Sequence, residues 1–196
     1  MKIALATKNA GKAAEIGRIL EGSGVEIVSL KAFPGVELPP ETGTTMMENA
    51  LLKARHVFKS TGLPALADDS GLEVDFLGGA PGVYSARYSG EKATDEENWR
   101  KLLRELEGVP LEKRSARFRC AIALVGFDDE EHLFEGVFEG AIADAPRGAN
   151  GFGYDPVFIP LGMDRTAAEL APEEKNRISH RARALEALKV FLSGRR

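Results

Sequence analysis

Cysteine, histidine and long apolar runs are scarce in this chain, and each scarcity excludes a class of protein. Cys120 is the only cysteine among 196 residues, so an intrachain disulfide and a paired-cysteine zinc site are both excluded. His56, His132 and His180 are far apart and form neither an HExxH nor an HxH motif. No stretch approaches the roughly 18 consecutive apolar residues of a membrane span. The apolar start of the chain is too short for a signal peptide, so we expect a cytoplasmic protein with no membrane partner.

Basic residues are not in excess either. The chain has 26 Lys and Arg against 30 Asp and Glu, which gives a net charge of −4. A protein that coats nucleic acid would show a basic stripe, so we expect no nucleic-acid partner. A small anionic ligand held by a few cations is still compatible with this balance. The apolar fraction of 43% is that of a globular protein, and we expect one domain over 1–196.

The chain opens with the pattern of a β-α-β unit. Residues 2–7 form a short apolar run typical of a buried strand, and residues 25–30 form another. Between them, Asn9 is expected to cap a helix over 11–21. Such units join parallel strands through a right-handed crossover.

Helices and strands alternate in the rest of the chain. Two capping boxes, Thr-x-x-Glu at 45–48 and 94–97, predict helices over 45–59 and 94–106, and a last helix is expected to stop at Gly194. Strands are expected over 64–68, 72–76, 118–124, 134–142 and 156–159. A parallel opening followed by an antiparallel hairpin predicts an α/β protein with a mixed, twisted sheet and helices on both faces.

The loop 7–12, Thr-Lys-Asn-Ala-Gly-Lys, follows a strand and opens a helix. Free amides and the dipole at a helix N-terminus favour an anion, and Lys8 and Lys12 add positive charge. The loop is not a P-loop, because Ala6 and Ala13 stand where that motif has a glycine and a hydroxyl residue. It is either a phosphate cradle or an ordinary turn with solvated lysines.

Asp68 and Asp69 directly follow an apolar run. Both could be turn residues, because Asp is common in turns. Alternatively, one carboxylate could hold Mg²⁺, which commonly uses one or two carboxylates together with substrate phosphates. Glu41 is a candidate second ligand. Glu15 either joins this site or pairs with Lys12 one helical turn away.

Two later segments combine glycine, aromatic and basic residues. Segment 148–156, Gly-Ala-Asn-Gly-Phe-Gly-Tyr-Asp-Pro, leads into a strand, so it does not support a dinucleotide fingerprint. Glycines beside aromatics let a planar ligand stack, although a turn with Phe152 in the core is an equal alternative. Segment 175–181 is either a basic solvated helix face or a ligand-binding one.

Six motifs occur together along the chain. They are Thr-x-Asn-x-x-Lys-x-x-Glu at 7–15, Glu-Thr-Gly-x-Thr-x-x-Glu-Asn-Ala at 41–50, Ala-Asp-Asp-Ser-Gly-Leu at 67–72, Gly-Ala-Pro-Gly-Val-Tyr-Ser-Ala-Arg-Tyr at 79–88, Gly-Phe-Gly-Tyr-Asp-Pro at 151–156 and Ile-Ser-His-Arg at 178–181. With them the chain resembles the inosine triphosphate pyrophosphatase family, from residue 3 to about residue 192. The resemblance implies a two-lobed α/β fold with a long twisted mixed sheet, flanking helices and an active-site cleft between the lobes. It also implies a homodimer that hydrolyses ITP, dITP and XTP to the monophosphate and pyrophosphate with Mg²⁺.

The resemblance further implies roles for the matching residues. Asp69 is the general base and, with Glu41, a metal ligand. The phosphates lie against Thr7, Lys8, Asn9, Ala10, Gly11, Lys12 and Ser70. The nucleoside lies against Phe152, Gly153, Tyr154, Asp155, Lys175, His180 and Arg181.

Lys8 departs from the family pattern, which commonly has glycine there. We therefore expect either a strained backbone at Lys8 or a slightly different loop. Base selection would follow from donors such as Arg181 and Lys175, which pair with a 6-oxo group but oppose the 6-amino group of adenine.

Two other functions are compatible with the sequence. One is a house-cleaning pyrophosphatase of similar fold that acts on methylated or pyrimidine nucleotides. The other is a nucleotide-binding regulator without turnover, against which the acids Asp69 and Glu41 argue.

Overall fold

The computed structural model describes residues 1–195; Arg196, the end of the predicted domain, lies outside the described residues. The strands are β1 (Lys2–Leu5), β2 (Glu26–Ser29), β3 (Ala65–Val74), β4 (Ser115–Val125), β5 (Glu131–Ile142) and β6 (Phe158–Pro160). The helices are α1 (Ala10–Ile19), α2 (Met46–Thr61), α3 (Asp95–Glu105), α4 (Pro172–Ile178) and α5 (His180–Ser193). No helix within 1–195 is both long and apolar enough to span a membrane.

The six strands form one mixed sheet in the order β2-β1-β3-β4-β5-β6. Strand β1 pairs in parallel with both β2 and β3, and β5 pairs antiparallel with β6. The predicted α/β class and mixed sheet are therefore confirmed.

Helix starts follow the predicted caps. The Asn9 side chain accepts from the Lys12 amide at 3.0 Å at the start of α1. Complete capping boxes open α2, with Thr45 and Glu48, and α3, with Thr94 and Glu97. Each box satisfies amides that have no partner inside the helix.

Strand β3 differs from its prediction, because residues 65–74 form one strand where two strands and a turn were expected. The low strand propensity of Asp, Ser and Gly suggested a break after Asp68. Backbone pairing in the middle of the sheet overrides that preference, and Asp68 and Asp69 lie inside the strand.

Two smaller differences from the predicted elements lie between residues 155 and 181. Residues Asp155–Val157 form a 3-10 turn, so β6 begins only at Phe158. The basic segment 175–181 is divided between two helices, because α4 ends at Ile178 and Ser179 has an extended backbone.

The described chain divides into two compact units. Unit 1 contains 1–69, 120–136 and 181–195, and unit 2 contains 70–119 and 137–180. Each unit has its own cluster of buried apolar side chains. In unit 1 the cluster includes Ile3, Leu5, Ile16, Leu66, Ile122 and Leu185. In unit 2 it includes Leu72, Leu102, Phe118, Phe138 and Phe158.

Candidate active site

Two neighbouring acids of β3 form the centre of the candidate site. Successive side chains of a strand point to opposite faces, so Asp68 and Asp69 have different surroundings although they are adjacent in sequence. Both are buried, with exposed fractions of 1% and 5%.

The Asp68 carboxylate is bound by three groups of unit 1. The Arg181 Nε donates to Oδ2 at 3.1 Å, the Cys120 Sγ donates to the same oxygen at 3.0 Å, and the Lys12 ammonium pairs with Oδ1. Burial by itself would raise the pKa of Asp68, but Arg181 and Lys12 hold that pKa well below its usual range. Asp68 is therefore a buried anion balanced by cations.

Arg181 connects this cluster to helix α1. Its guanidinium pairs with Glu15 through Nη1 and with Asp68 through Nε, and the side chain is 1% exposed. Glu15 thus has a partner on α5, which its spacing from Lys12 did not predict.

Asp69 meets a different set of groups. The Lys53 Nζ donates to Asp69 Oδ1, to Glu41 Oε1 and to the Asp68 carbonyl oxygen, each at 2.8 Å. Burial raises the pKa of Asp69 to about 6, because it outweighs the attraction of Lys53 and Lys12, and the Glu41 carboxylate adds to the rise. For Glu41 the balance is opposite: burial opposes ionisation, but Lys53 lowers the pKa of this carboxyl.

Lys53 is a site residue that the sequence analysis missed. It lies on α2 among the buried residues Ala50, Ala54 and Val57, and its side chain is only 6% exposed. The sequence did contain a signal for this role, because Lys53 stands in the apolar stripe of an amphipathic helix. A charged residue is rarely buried without a partner, so its position there indicates an ion pair.

The loop before α1 has the geometry of an ordinary strand-to-helix connection. The Asn9 amide donates to Thr7 Oγ1 at 3.2 Å, and the first amides of α1, at Ala10 and Gly11, have no partner within the helix. Lys8 pairs with Glu37, and both side chains are exposed. The backbone of Lys8 is not in the left-handed region. The lysine at this position, where the family commonly has glycine, is therefore accommodated without backbone strain.

In unit 2 the segment 151–155 forms a turn closed by Asp155. The Phe152 amide donates to Asp155 Oδ2 at 2.9 Å, and the Lys175 Nζ pairs with the same oxygen at 2.5 Å. The Lys175 Nζ also lies 4.8 Å from the centroid of the Phe152 ring. A buried ion pair thus fixes the backbone that carries this half-buried aromatic ring.

The other predicted nucleoside residues of unit 2 are held by packing and hydrogen bonds. The buried Tyr154 hydroxyl donates to the Ser85 carbonyl at 2.8 Å. The His180 ring stacks on Phe118, with ring centroids 4.9 Å apart. The Gly153 amide donates to Asp95 Oδ2 at 2.7 Å, a partner that the sequence analysis did not include.

The predicted site residues therefore fall into two groups. Unit 1 contains the loop 7–12, Glu41, Asp69 and Arg181. Unit 2 contains the half-buried Ser70, which follows Asp69 on β3, together with the turn 152–155, Lys175 and His180. Arg181 was predicted with the nucleoside residues, and it pairs with the carboxylates of Asp68 and Glu15. Base recognition by Arg181 stays a prediction.

The carboxylates of Glu41 and Asp69 fit a hard divalent cation. Each accepts a hydrogen bond from the same Lys53 ammonium at 2.8 Å, so two anionic groups from separate segments already converge on one positive charge. Within 1–195 no group of three or more His, Cys, Asp or Glu side chains is arranged to hold a metal ion. A two-carboxylate set suits Mg²⁺, which takes its remaining ligands from water and substrate phosphates.

Comparisons with known proteins cover nearly all of this chain. The model of the Ham1 family matches residues 3–191. A dITP/XTP pyrophosphatase of Bacillus licheniformis is 52% identical over 191 residues, 97% of each chain. One of Escherichia coli O157:H7 is 52% identical over 189 residues, 95% of each chain.

Solved structures agree with these matches. A HAM1 protein from Coxiella burnetii has a TM-score of 0.89 to this chain at 49% identity, with 99% of both chains covered. The Ham1 protein of Staphylococcus aureus also has a TM-score of 0.89, at 41% identity and with full coverage of both chains. The family predicted from the six motifs is thereby confirmed: this chain belongs to the Ham1 family.

Proposed function

We propose that this chain hydrolyses dITP, ITP and XTP to the nucleoside monophosphate and pyrophosphate with Mg²⁺, and so removes non-standard purines from the nucleotide pool. Relatives that are 52% identical are dITP/XTP pyrophosphatases, which supports the reaction and its substrates. The structural observation that carries the proposal is the arrangement around β3, where the Glu41 and Asp69 carboxylates converge on Lys53 Nζ at 2.8 Å each, and the neighbouring Asp68 is paired with Arg181 and Lys12.

Asp69 is suited to general-base catalysis. A base works best when its pKa lies near the operating pH, and burial moves this carboxyl in that direction. In the proposed step Asp69 accepts a proton from a water whose oxygen forms a bond to the α-phosphorus. The bond from the α-phosphorus to the bridging oxygen breaks, and pyrophosphate leaves with the bonding electron pair.

Glu41 and Asp69 are the proposed Mg²⁺ ligands. A bound Mg²⁺ would polarise the phosphate and reduce the charge that the attacking oxygen meets. Lys53 holds both carboxylates in place through its 2.8 Å contacts.

The loop 7–12 is the proposed phosphate site. The amides of Ala10 and Gly11 at the start of α1 can donate to an anionic oxygen, and the helix dipole favours negative charge there. Lys8 can exchange its exposed partner Glu37 for a phosphate at little cost, because exposed ion pairs contribute little to stability. These donors stabilise the leaving pyrophosphate.

Phe152 and Lys175 of unit 2 are proposed base-recognition groups, and so is Arg181 of unit 1. The Phe152 ring offers a face for a purine, and the Asp155–Lys175 pair keeps that ring in place. The side chains of Lys175 and Arg181 carry hydrogen-bond donors and no acceptor atom, so the 6-oxo oxygen of a purine can accept from them, whereas the 6-amino group of adenine cannot.

We also propose that the protein is a homodimer, as the family resemblance implies. The scarcity of cysteine supports a cytoplasmic location.

A panel of triphosphates tests the proposal. ITP, dITP and XTP, together with ATP, GTP, a methylated purine triphosphate and a pyrimidine triphosphate, are incubated with the protein and Mg²⁺. Pyrophosphate and orthophosphate are scored separately. We expect pyrophosphate as the first product, with ITP, dITP and XTP preferred. Orthophosphate with a diphosphate would contradict the reaction, and a preference for the methylated or pyrimidine substrate would contradict the substrate class.

A further inference from the structure

Helix α2 presents two buried polar side chains one turn apart. Asn49 and Lys53 are spaced i, i+4 and have exposed fractions of 0% and 5%. Buried polar groups need partners, so the contacts of this face show what it is built to hold.

Asn49 joins two segments of unit 1 through opposite ends of its amide. Its Oδ1 accepts from the Gly43 amide at 2.8 Å, and its Nδ2 donates to Asp69 Oδ2 at 3.4 Å. A backbone N–H only donates and an ionised carboxylate only accepts, so a single orientation of the amide satisfies both neighbours.

The contact between Asn49 and the Gly43 amide depends on the absence of a side chain at Gly43. A Cβ at Gly43 would lie 2.7 Å from Asn49 Oδ1 and 2.7 Å from the Glu48 Cβ. The close approach therefore needs glycine, and it anchors the chain two residues after Glu41.

Both oxygens of Asp69 are thus held by donors of one helix, Oδ1 by Lys53 and Oδ2 by Asn49. We infer that Asn49 is a positioning residue for the proposed reaction: it acts through Asp69, by setting the plane of that carboxylate relative to the loop that carries Glu41. The inference rests on the proposed function. A small rotation of a catalytic group out of its productive geometry lowers the rate steeply.

Helix α3 contains the same local motif with a different partner. Thr94-x-x-Glu97-Asn98 repeats Thr45-x-x-Glu48-Asn49, and Asn98 is also buried. Asn98 Oδ1 accepts from the Ser89 amide at 2.8 Å, but Nδ2 donates to the Ala86 carbonyl at 3.1 Å. In both motifs the asparagine holds the loop before its helix through Oδ1. The Nδ2 of Asn49 donates to a carboxylate, whereas that of Asn98 donates to a backbone carbonyl. Asn98 is therefore a matched control.

The first test is a double-mutant cycle on stability, which does not depend on activity. Asn49→Asp keeps the acceptor for Gly43 but places a carboxylate against Asp69; adding Asp69→Asn restores a donor opposite the new acceptor. We expect Asn49→Asp to lower Tm, and at least about half of that loss to be absent in the Asp69→Asn background. Asn98→Asp should lower Tm equally in both backgrounds. Additive losses for the Asn49 and Asp69 pair would overturn the inference.

The second test is steady-state kinetics on dITP with saturating Mg²⁺. We expect Asn49→Asp to lower kcat by about tenfold or more while KM changes by less than about threefold. Asn98→Asp should keep kcat within about threefold of the parent. An Asn49→Asp variant with the parent's kcat would overturn the positioning role. If the parent itself does not hydrolyse dITP, the proposed function fails, and the stability cycle still decides whether Asn49 acts on Asp69.

Discussion

At the scale of single residues, the surroundings decide what a carboxylate can do. Asp68 and Asp69 are chemically identical neighbours on one strand. Arg181 and Lys12 outweigh burial at Asp68, whereas burial outweighs Lys53 and Lys12 at Asp69, so their pKa values move in opposite directions. Pairs of acids whose pKa values are pushed apart in this way serve different roles in enzymes.

Replacing Asp69 by Asn tests its role most directly. The amide keeps the size of the side chain but cannot accept a proton from water or carry the charge that is proposed to bind Mg²⁺. We expect kcat for dITP to fall by about 10²- to 10⁴-fold, with the folded state preserved in circular dichroism. Asp129→Asn, at an exposed position, is the control and should keep the parent's kcat. A kcat for Asp69→Asn within a few-fold of the parent would make Asp68 the better candidate.

Arg181 combines a structural contact with a predicted role in base recognition. Its guanidinium lies between the carboxylates of Asp68 and Glu15. Arg181→Ala leaves two buried anions without this partner, so we expect it to lower the free energy of unfolding by about 3–5 kcal/mol, measured by urea denaturation.

The same Arg181→Ala variant tests base recognition, because a structural loss lowers kcat/KM for ITP and ATP alike and cancels in their ratio. If Arg181 reads the 6-oxo group, the ratio of kcat/KM for ITP to that for ATP should fall by about 10- to 150-fold. An unchanged ratio would show that Arg181 does not read the base.

At the scale of helices and strands, local signals predicted more than long-range ones. The caps at Asn9, Thr45 and Thr94 were predicted and confirmed, because a cap depends on residues three positions apart. The continuity of β3 through Asp68 and Asp69 was not predicted, because it depends on pairing with strands distant in sequence. Lys53 and Asn49 were missed for a similar reason. Their roles follow from contacts with Asp69, 16 and 20 residues away, and the position of Lys53 on the buried face of α2 signals a partner without identifying it.

The turn 151–155 gives a prediction at this scale. Gly151 has a φ of 76°, and a Cβ there would lie 2.0 Å from Asp155 Oδ2. Gly62 has a φ of 69°, but an added Cβ there has nothing within 4 Å. Gly62→Ala should therefore cost only the backbone strain, about 1–2 kcal/mol. Gly151→Ala should cost more, because it also displaces Asp155 from its bonds to the Phe152 amide and Lys175.

Chemical denaturation of the two glycine variants compares these costs directly. Equal losses of unfolding free energy would show that Asp155 can shift its side chain without cost. Its ion pair with Lys175 would then not fix the position of the Phe152 ring.

At the scale of the whole molecule, the chain passes between the two units more than once. Strands β3, β4 and β5 each contribute residues to both units, because the boundaries fall after Asp69, Arg119 and Gly136. No single cut of the backbone therefore separates the units into two continuous pieces. This connectivity differs from that of two domains joined by one linker, which often unfold separately.

Core substitutions in each unit test whether they unfold together. Ile16 on α1 and Leu102 on α3 are both fully buried, in unit 1 and unit 2 respectively. Truncation of either to Ala should destabilise the fold by about 2–5 kcal/mol. Because the strands are shared, we expect one calorimetric transition in the parent and in both variants, with Tm lowered as a whole and the calorimetric enthalpy equal to the van't Hoff enthalpy. A variant in which only part of the transition moves to lower temperature would show that the two units unfold independently in spite of the shared strands.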